Sequence, residues 1–304
     1  MKPRLVFFLL CLIWGSTWLF IKLGLSDLPP FTFAGIRFVI ASAILFAIVK
    51  ARGLSLPRTR ADWLLLATTG VLAFSVNYGA VFWGEQHISS GLAALLQAMI
   101  PVFGMVIAHF YLPGEPMTPA RILGVILGAA GVGVIFSNQL SIAGPKAFAG
   151  CAAIVVGSSC TAYANVLVKA RGAKLNPAIL AGGQMVFGLI PLLLIGIATE
   201  GNPFNIRWTG MAVVSLIYLA IVGSVVAFLL YYWLVQHMDV TNTMLIALVT
   251  PVVAVILGML VLDEKLDWRT VAGGAMIMSG IGMIVLRRGK KPATEPSKLD
   301  VPVK

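Results

Sequence analysis

The chain has 304 residues, 59% of them hydrophobic and only 11% charged, with a mean hydropathy of +0.97. Soluble globular domains carry about 25% charged residues and roughly 45–50% apolar ones, so this composition excludes them and points to a polypeptide dissolved in lipid. The net charge of +11 does not point to nucleic acid, because Lys and Arg sit between apolar runs and at the ends, not in a stripe with interleaved aromatics.

In chain order, the opening MKPRLVFFLLCLIWGSTWLFIKLG starts like a signal peptide. It lacks an A-x-A-like cleavage site and its apolar stretch is too long for an h-region, so it is read as the first membrane helix. A membrane helix needs roughly 20 mainly apolar residues. Ten stretches qualify, at 5–24, 31–50, 63–83, 91–112, 121–138, 148–168, 178–198, 210–233, 241–262 and 269–286. The joining loops are short and hold turn formers, as in Asp27-Leu-Pro-Pro30, Pro113-Gly-Glu-Pro116 and Gly201-Asn-Pro203. The segment 288–304 reads as a disordered, basic cytoplasmic tail. Cys11, Cys151 and Cys160 fall inside apolar runs, at spacings that give neither a disulfide framework nor a zinc site. His87 and His237 lie at span ends and His109 stands alone, so no metal and no cofactor is expected.

Ten spans put both termini on one side. With the N-terminus in the cytoplasm, inside segments collect 16 of the 22 Lys and Arg residues. Outside loops hold only Lys146, Arg207, Lys265 and Arg269, while Lys22 and Arg37 lie within spans. This positive-inside bias predicts a multi-pass protein of the plasma or inner membrane with both termini cytoplasmic.

The chain repeats itself. Trp83, Gln86, His87 and Pro101 recur 150 positions on as Trp233, Gln236, His237 and Pro251. Glu115, Gly124, Gly131 and Gly133 recur 149 positions on as Glu264, Gly273, Gly280 and Gly282, and Lys22, Pro30 and Arg37 align at 147 with Lys169, Pro177 and Gln184. The predicted fold is therefore all-α integral membrane, ten transmembrane helices arranged as two five-helix repeats, about 1–140 and 148–287. Five is odd, so the second copy enters the membrane inverted. Inverted repeats are the architecture by which secondary transporters open a central site first to one side and then to the other.

The segments GLAALLQAMIPVF and PGEPMTPARILGVILGAAGVGVIF, with their partner TPVVAVILGMLVLDEKLDWRTVAGGAMIMSGIGMIVL, resemble the EamA family of the drug/metabolite transporter superfamily. The opening IWGSTWLFIKLGL and PPFTFAGIRFVIA resemble that family's first two helices. The likeness spans nearly the whole chain and implies a ten-helix exporter or permease of small metabolites, often amino acids or their derivatives. It does not identify the cargo.

Candidate substrate-binding residues follow from polarity at depth. Trp14, Trp18 and Lys22 share one face of the first span, and Thr161, Asn165 and Lys169 occupy the equivalent face of the second copy. That face reads either as a wall on which an apolar body stacks or as helix packing with a snorkelling Lys22. Arg37 lies about 10 Å into the second span at ~1.5 Å per residue, where an unrelieved Arg costs at least ~2.5 kcal/mol. No Asp or Glu falls deep in any span, and Asp27, Glu85, Glu115, Glu200, Asp263 and Glu264 all lie near ends or in loops. The partner of Arg37 is then a carbonyl, a polar side chain, water or an anionic ligand, and its role is either structural or the recognition of a carboxylate. Gln184 holds the matching position. Asn77, Tyr78, Gln97, Tyr163 and Asn165 add hydrogen-bonding groups at middle depths, each of which reads alternatively as interhelical glue. Pro101 and Pro251 interrupt helices at matched positions and suit gating or a fixed kink. The glycines are packing faces, not nucleotide loops.

The expected function is a secondary transporter exporting a small metabolite, with an amino acid or a derivative as cargo, by alternating access. The alternatives are a permease for another class (nucleotide-sugar or drug uptake or efflux) and a multi-span membrane enzyme, although no span holds the paired carboxylates that metal-dependent lipid or prenyl chemistry needs. The expected partners are a small-molecule substrate and the lipid bilayer, with no nucleic acid. Protons are an open choice of coupling ion, with Glu85 as an end-located group for the exchange, and facilitated diffusion is the other. The oligomeric state is open.

Overall fold

The computed structural model describes residues 2–113, 115, 117–142, 144–172, 174–202, 206–238, 243 and 245–286. The tail at 288–304, Pro116 and Pro203 of the predicted loops, and most of 239–244 lie outside the described residues. Among the described residues every regular element is a helix. In the order of the spans they are α1 (Pro3–Gly24), α2 (Pro30–Ala51), α3 (Arg60–Glu85), α4 (Ser90–Tyr111), α5 (Pro119–Ile142), α6 (Gly144–Arg171), α7 (Pro177–Glu200), α8 (Gly210–His237), α9 (Ile246–Val261) and α10 (Trp268–Leu286). Nine are long and apolar enough to cross a bilayer. The ninth in order, α9, is described over 16 residues only, against 22 predicted, because the residues before Leu245 fall largely outside the description.

Local chemistry fixes the helix starts. Pro3, Pro30 and Pro177 occupy first positions, where a missing N–H costs nothing. Thr59, Ser89 and Thr209 cap α3, α4 and α8 by accepting from the backbone N–H of Asp62, Leu92 and Ala212. Two helices carry a wider turn at corresponding places, Val71–Val76 in α3 and Tyr218–Val226 in α8, where the backbone hydrogen bonds lengthen to i→i−5. α4 breaks at Ala98 and Met99, just before Pro101. Pro251 instead sits inside the continuous helix α9, so the matched prolines do not make matched breaks.

The packing gives the halves their relation. α2 packs along α7 and α5 along α10, so equivalent helices pair with each other. α1 packs on α9 and α6 on α4, so the first helix of each half lies on the fourth helix of the other. Both equivalent pairs run antiparallel: Glu200 at the end of α7 meets Phe31 and Thr32 at the start of α2, while Gly182 near the start of α7 faces Leu45 and Phe46. In the other pair, the carbon of an added side chain at Gly124 would lie 2.8 Å from the carbonyl oxygen of Gly280, and at Gly131 2.5 Å from that of Gly273. Gly124 is equivalent to Gly273 and Gly131 to Gly280, so Gly124 touches the counterpart of Gly131 and Gly131 touches the counterpart of Gly124. That reciprocity is the mark of a two-fold axis, and the opposed helix directions make the second half an inverted copy of the first.

The reciprocal glycines let two backbones touch where any side chain would intrude. Gly131→Val is expected to lower the melting temperature of the detergent-purified protein, overpacking costing about 1–3 kcal/mol. Gly133→Val, with no neighbouring atom within 4 Å of the added carbon, leaves it unchanged. Thermal unfolding followed by size-exclusion chromatography compares them, and equal shifts would remove the helix seam as the cause.

Candidate functional site

Several of the polar side chains that lie mid-span are satisfied by residues of other helices. Arg37 on α2 is 2% exposed, and its Nε donates to Ser224 Oγ of α8 at 3.1 Å. Ser224 in turn donates to the Leu219 carbonyl at 3.0 Å, five residues back, within the widened turn. Gln184 on α7, the counterpart of Arg37, donates through Nε2 to Thr69 Oγ1 of α3 at 2.9 Å. Each second helix thus reaches a hydroxyl on the third helix of the opposite half. The guanidinium of Arg37 also lies over the Phe38 ring at 5.3 Å and the Tyr78 ring at 5.1 Å. Its Nη1 is buried without a hydrogen-bond partner.

A second polar chain joins three helices. Gln97 on α4 donates to Asn77 Oδ1 of α3 at 3.0 Å and accepts from Ser158 Oγ of α6 at 3.0 Å. Gly157 beside Ser158 allows this approach, since the carbon of a side chain there would lie 3.0 Å from the Cα of Asn77. The counterparts of Asn77, Gln97 and Ser158 are Ala227, Ala247 and Cys11, so the network has no symmetry-related copy. The opposite side is aromatic. Trp14 packs against Phe228 at 6.1 Å and Tyr231 at 5.4 Å, Phe228 meets Phe74 at 6.2 Å, and Phe74 stacks on Tyr78 at 5.7 Å. Trp14, Tyr78 and Arg37 therefore belong to one continuous cluster. Its residues come from α1, α2, α3 and α8, and the Asn77–Gln97 network begins one residue from Tyr78.

The other predicted site residues lie elsewhere. Trp18 is buried in the apolar core. Lys22 lies apart from the aromatic cluster: its Nζ donates to the backbone carbonyls of Glu85 at 2.5 Å and Ile88 at 2.7 Å. Tyr163 shares a hydrogen bond of 3.0 Å with Tyr111, and Asn165 is exposed. Below them Lys169 Nζ pairs with Glu115 Oε1 at 2.7 Å, and Glu115 Oε2 also takes Arg121 at 3.1 Å. The sequence placed all of these on polar faces, but the arrangement separates a central group (Trp14, Arg37, Asn77, Tyr78, Gln97, with Gln184 at the α3–α7 contact) from groups near the span ends.

A family model of EamA-like transporters matches residues 1–137 and again 148–286. The chain belongs to the EamA-like transporter family. Two relatives have the same length class: the uncharacterized transporter YoaV of Bacillus subtilis, 27% identical over 90% of this chain and 92% of that protein, and the uncharacterized inner membrane transporter YedA of Escherichia coli K12, 29% identical over 86% and 84%. A crystal structure at 21% identity superposes with a TM-score of 0.66, covering 94% of this chain and 98% of its own, and shows the same fold. This EamA-like chain is thus a multi-pass membrane transporter.

Several residues that build the centre carried no sequence signal. Ser224 is a lone hydroxyl in an apolar run and Thr69 one of two adjacent threonines, and nothing local marks them as partners of Arg37 and Gln184. The widened turns that hold Ser224 and precede Asn77 have ordinary apolar composition. The burial of Glu85 arises from loops and helices remote in sequence.

Gln97 is the test of the polar network. Gln97→Leu leaves Asn77 Oδ1 and Ser158 Oγ without their partner, and the expected loss of stability is about 0.6–2 kcal/mol, the scale of interhelical hydrogen bonds in membranes. Adding Asn77→Leu to that variant is expected to cost less than Asn77→Leu alone, because the pair is already broken. Fully additive melting shifts in the double variant would show that the two side chains do not act together.

Proposed function

We propose that this chain is an exporter of a small metabolite of the plasma or inner membrane, carrying an amino acid or a close derivative by alternating access. The observation that carries the reading is Arg37. A buried guanidinium with one donor bonded to Ser224, one face on aromatic rings and Nη1 unpartnered offers a charge-assisted bond to a carboxylate. The Trp14–Phe228–Tyr231 group supplies an apolar wall beside it, and Asn77 and Gln97 supply amide groups on the other side. A molecule with one carboxylate, a polar end and an apolar body matches that distribution. Arg37 is the one cation among the described residues that is fully buried, which fits a zwitterion or monoanion better than a nucleotide sugar. In this reading Tyr163 and Asn165 meet the cargo near the inner mouth, Pro101 and Pro251 let α4 and α9 bend, and both termini are cytoplasmic. The two family matches are the two repeats that alternate.

Untargeted comparison of medium and cell interior on overproduction tests export. With the intact chain an amino acid or derivative accumulates outside. Arg37→Gln is expected to cut the rate about tenfold or more, the loss of one charge-assisted hydrogen bond being worth ~1.5–3 kcal/mol, while the amount in the membrane fraction stays constant. Undiminished export by the variant would remove Arg37 from recognition.

Topology is tested separately. A reporter fused after residue 141 is expected outside and one after residue 174 inside, following the positive-inside pattern. Same-side readings would overturn the orientation.

A further inference from the structure

Glu85 ends α3 and is 0% exposed, and neither of its carboxylate oxygens has a hydrogen-bond partner. The groups around it explain why none is available. Lys22 of α1 points its ammonium at the carbonyl oxygens of Glu85 and Ile88, not at the carboxylate. Glu264, in the loop between α9 and α10, is a second negative charge, and its own oxygens accept from Ser90 N at 2.7 Å, Ser90 Oγ at 2.9 Å and Gly91 N at 3.2 Å. His87, in the turn between α3 and α4, is kept below its usual pKa by burial and then by Lys146 and Lys22, so it favours the neutral ring. Phe33 of α2 packs edge-on against Phe82, and Gly150 and Ile154 of α6 lie against Gly84, the residue before Glu85.

Lys22 and Glu264 balance each other. An ionised Glu85 would add an unbalanced negative charge in a place closed to water, which is among the costliest arrangements in a protein interior. A neutral carboxyl avoids that cost. Water reaching this end on opening would remove the penalty.

We propose that Glu85 is a proton-binding site of this transporter, loaded while this end of the bundle is closed and emptied to water when it opens. In the emptying step the carboxyl O–H bond breaks, its electron pair stays on the oxygen, and the proton passes to water at the opening end. Closure takes a proton back. The proposal rests on the transport reading for its use, since the exchange would couple cargo movement to a proton gradient, but its test needs no cargo.

In a background with Cys11→Ala, Cys151→Ala and Cys160→Ala, the probe is a membrane-impermeant maleimide reacting with Ile88→Cys in nanodiscs. Exposed Gln86→Cys, labelled in parallel, corrects for the reagent's own pH dependence. The corrected rate at position 88 is expected to rise with pH, by up to about tenfold per pH unit, as linkage of opening to loss of one proton requires. With Glu85→Gln the rise disappears. Infrared difference spectra are expected to show a protonated carboxyl band near neutral pH that Glu85→Gln removes. A pH-independent corrected rate in the parent overturns the proposal even if the Gln variant does not fold. So does an unchanged rise, or an unchanged band, in a folded Gln variant. If metabolites show no export while labelling still titrates through Glu85, the export reading falls and the proton site stands.

Discussion

A polar group inside a bilayer has no water to fall back on, and this protein satisfies several of its mid-membrane polar groups across the seam between its two halves. Arg37 reaches Ser224 and Gln184 reaches Thr69, each bond joining a second helix to the third helix of the other copy. The same economy governs the ends. Glu200 at the close of α7 accepts from the backbone N–H groups of Phe31 and Thr32 at 2.8 and 2.9 Å, and Glu264 does the same for Ser90 and Gly91. Both carboxylates sit at helix N-termini, where free N–H groups and the helix dipole favour a negative charge. Contacts between the halves thus carry part of the polar bonding of the membrane core, and any change in how the halves sit must exchange them.

Symmetry of backbone coexists with asymmetry of chemistry. The reciprocal glycine contacts of α5 and α10 place equivalent atoms in equivalent surroundings, yet the centre does not repeat its side chains. Trp14 faces the aromatic cluster where the second copy has Thr161. Arg37 is matched by Gln184, Asn77 by Ala227 and Gln97 by Ala247. Duplication supplies two similar bodies, and divergence at the centre gives one side hydrogen-bonding groups and the other aromatic rings.

The spans and the repeat were legible because both rest on one-dimensional quantities. Length, hydropathy and a fixed offset locate helices, and an odd number of helices per copy forces inversion. The partners of the buried polar groups were not legible, because pairing is three-dimensional: Ser224 is 187 residues from Arg37. The widened turns of α3 and α8 were invisible because a shift from i→i−4 to i→i−5 bonding changes no residue type. Periodicity sets Asn165 on the face of Lys169 and Thr161, and its exposure there could not be read from the sequence. Position along a span also proved a poor measure of depth for Glu85. The sequence puts it at a helix end, and the convergence of α1, α4 and the α9–α10 loop seals that end over it.

Lys22 and Lys169 hold equivalent places in the two copies, as do Glu264 and Glu115, and their surroundings differ. Lys169 forms a direct ion pair with Glu115, and its side chain is 55% exposed. Exposed pairs of this kind contribute about 0–1 kcal/mol, so little holds them shut. Lys22 is instead drawn onto two backbone carbonyls beside buried Glu85, while Glu264 caps α4. Two copies of one motif thus occupy a wet and a dry version of the same corner at opposite ends of an inverted pair. The second corner also lacks a counterpart of Glu85, since position 235 is valine, so the two surroundings differ in composition as well as in exposure. Opening the dry corner would have to break the two carbonyl contacts of Lys22 and the cap of α4 together.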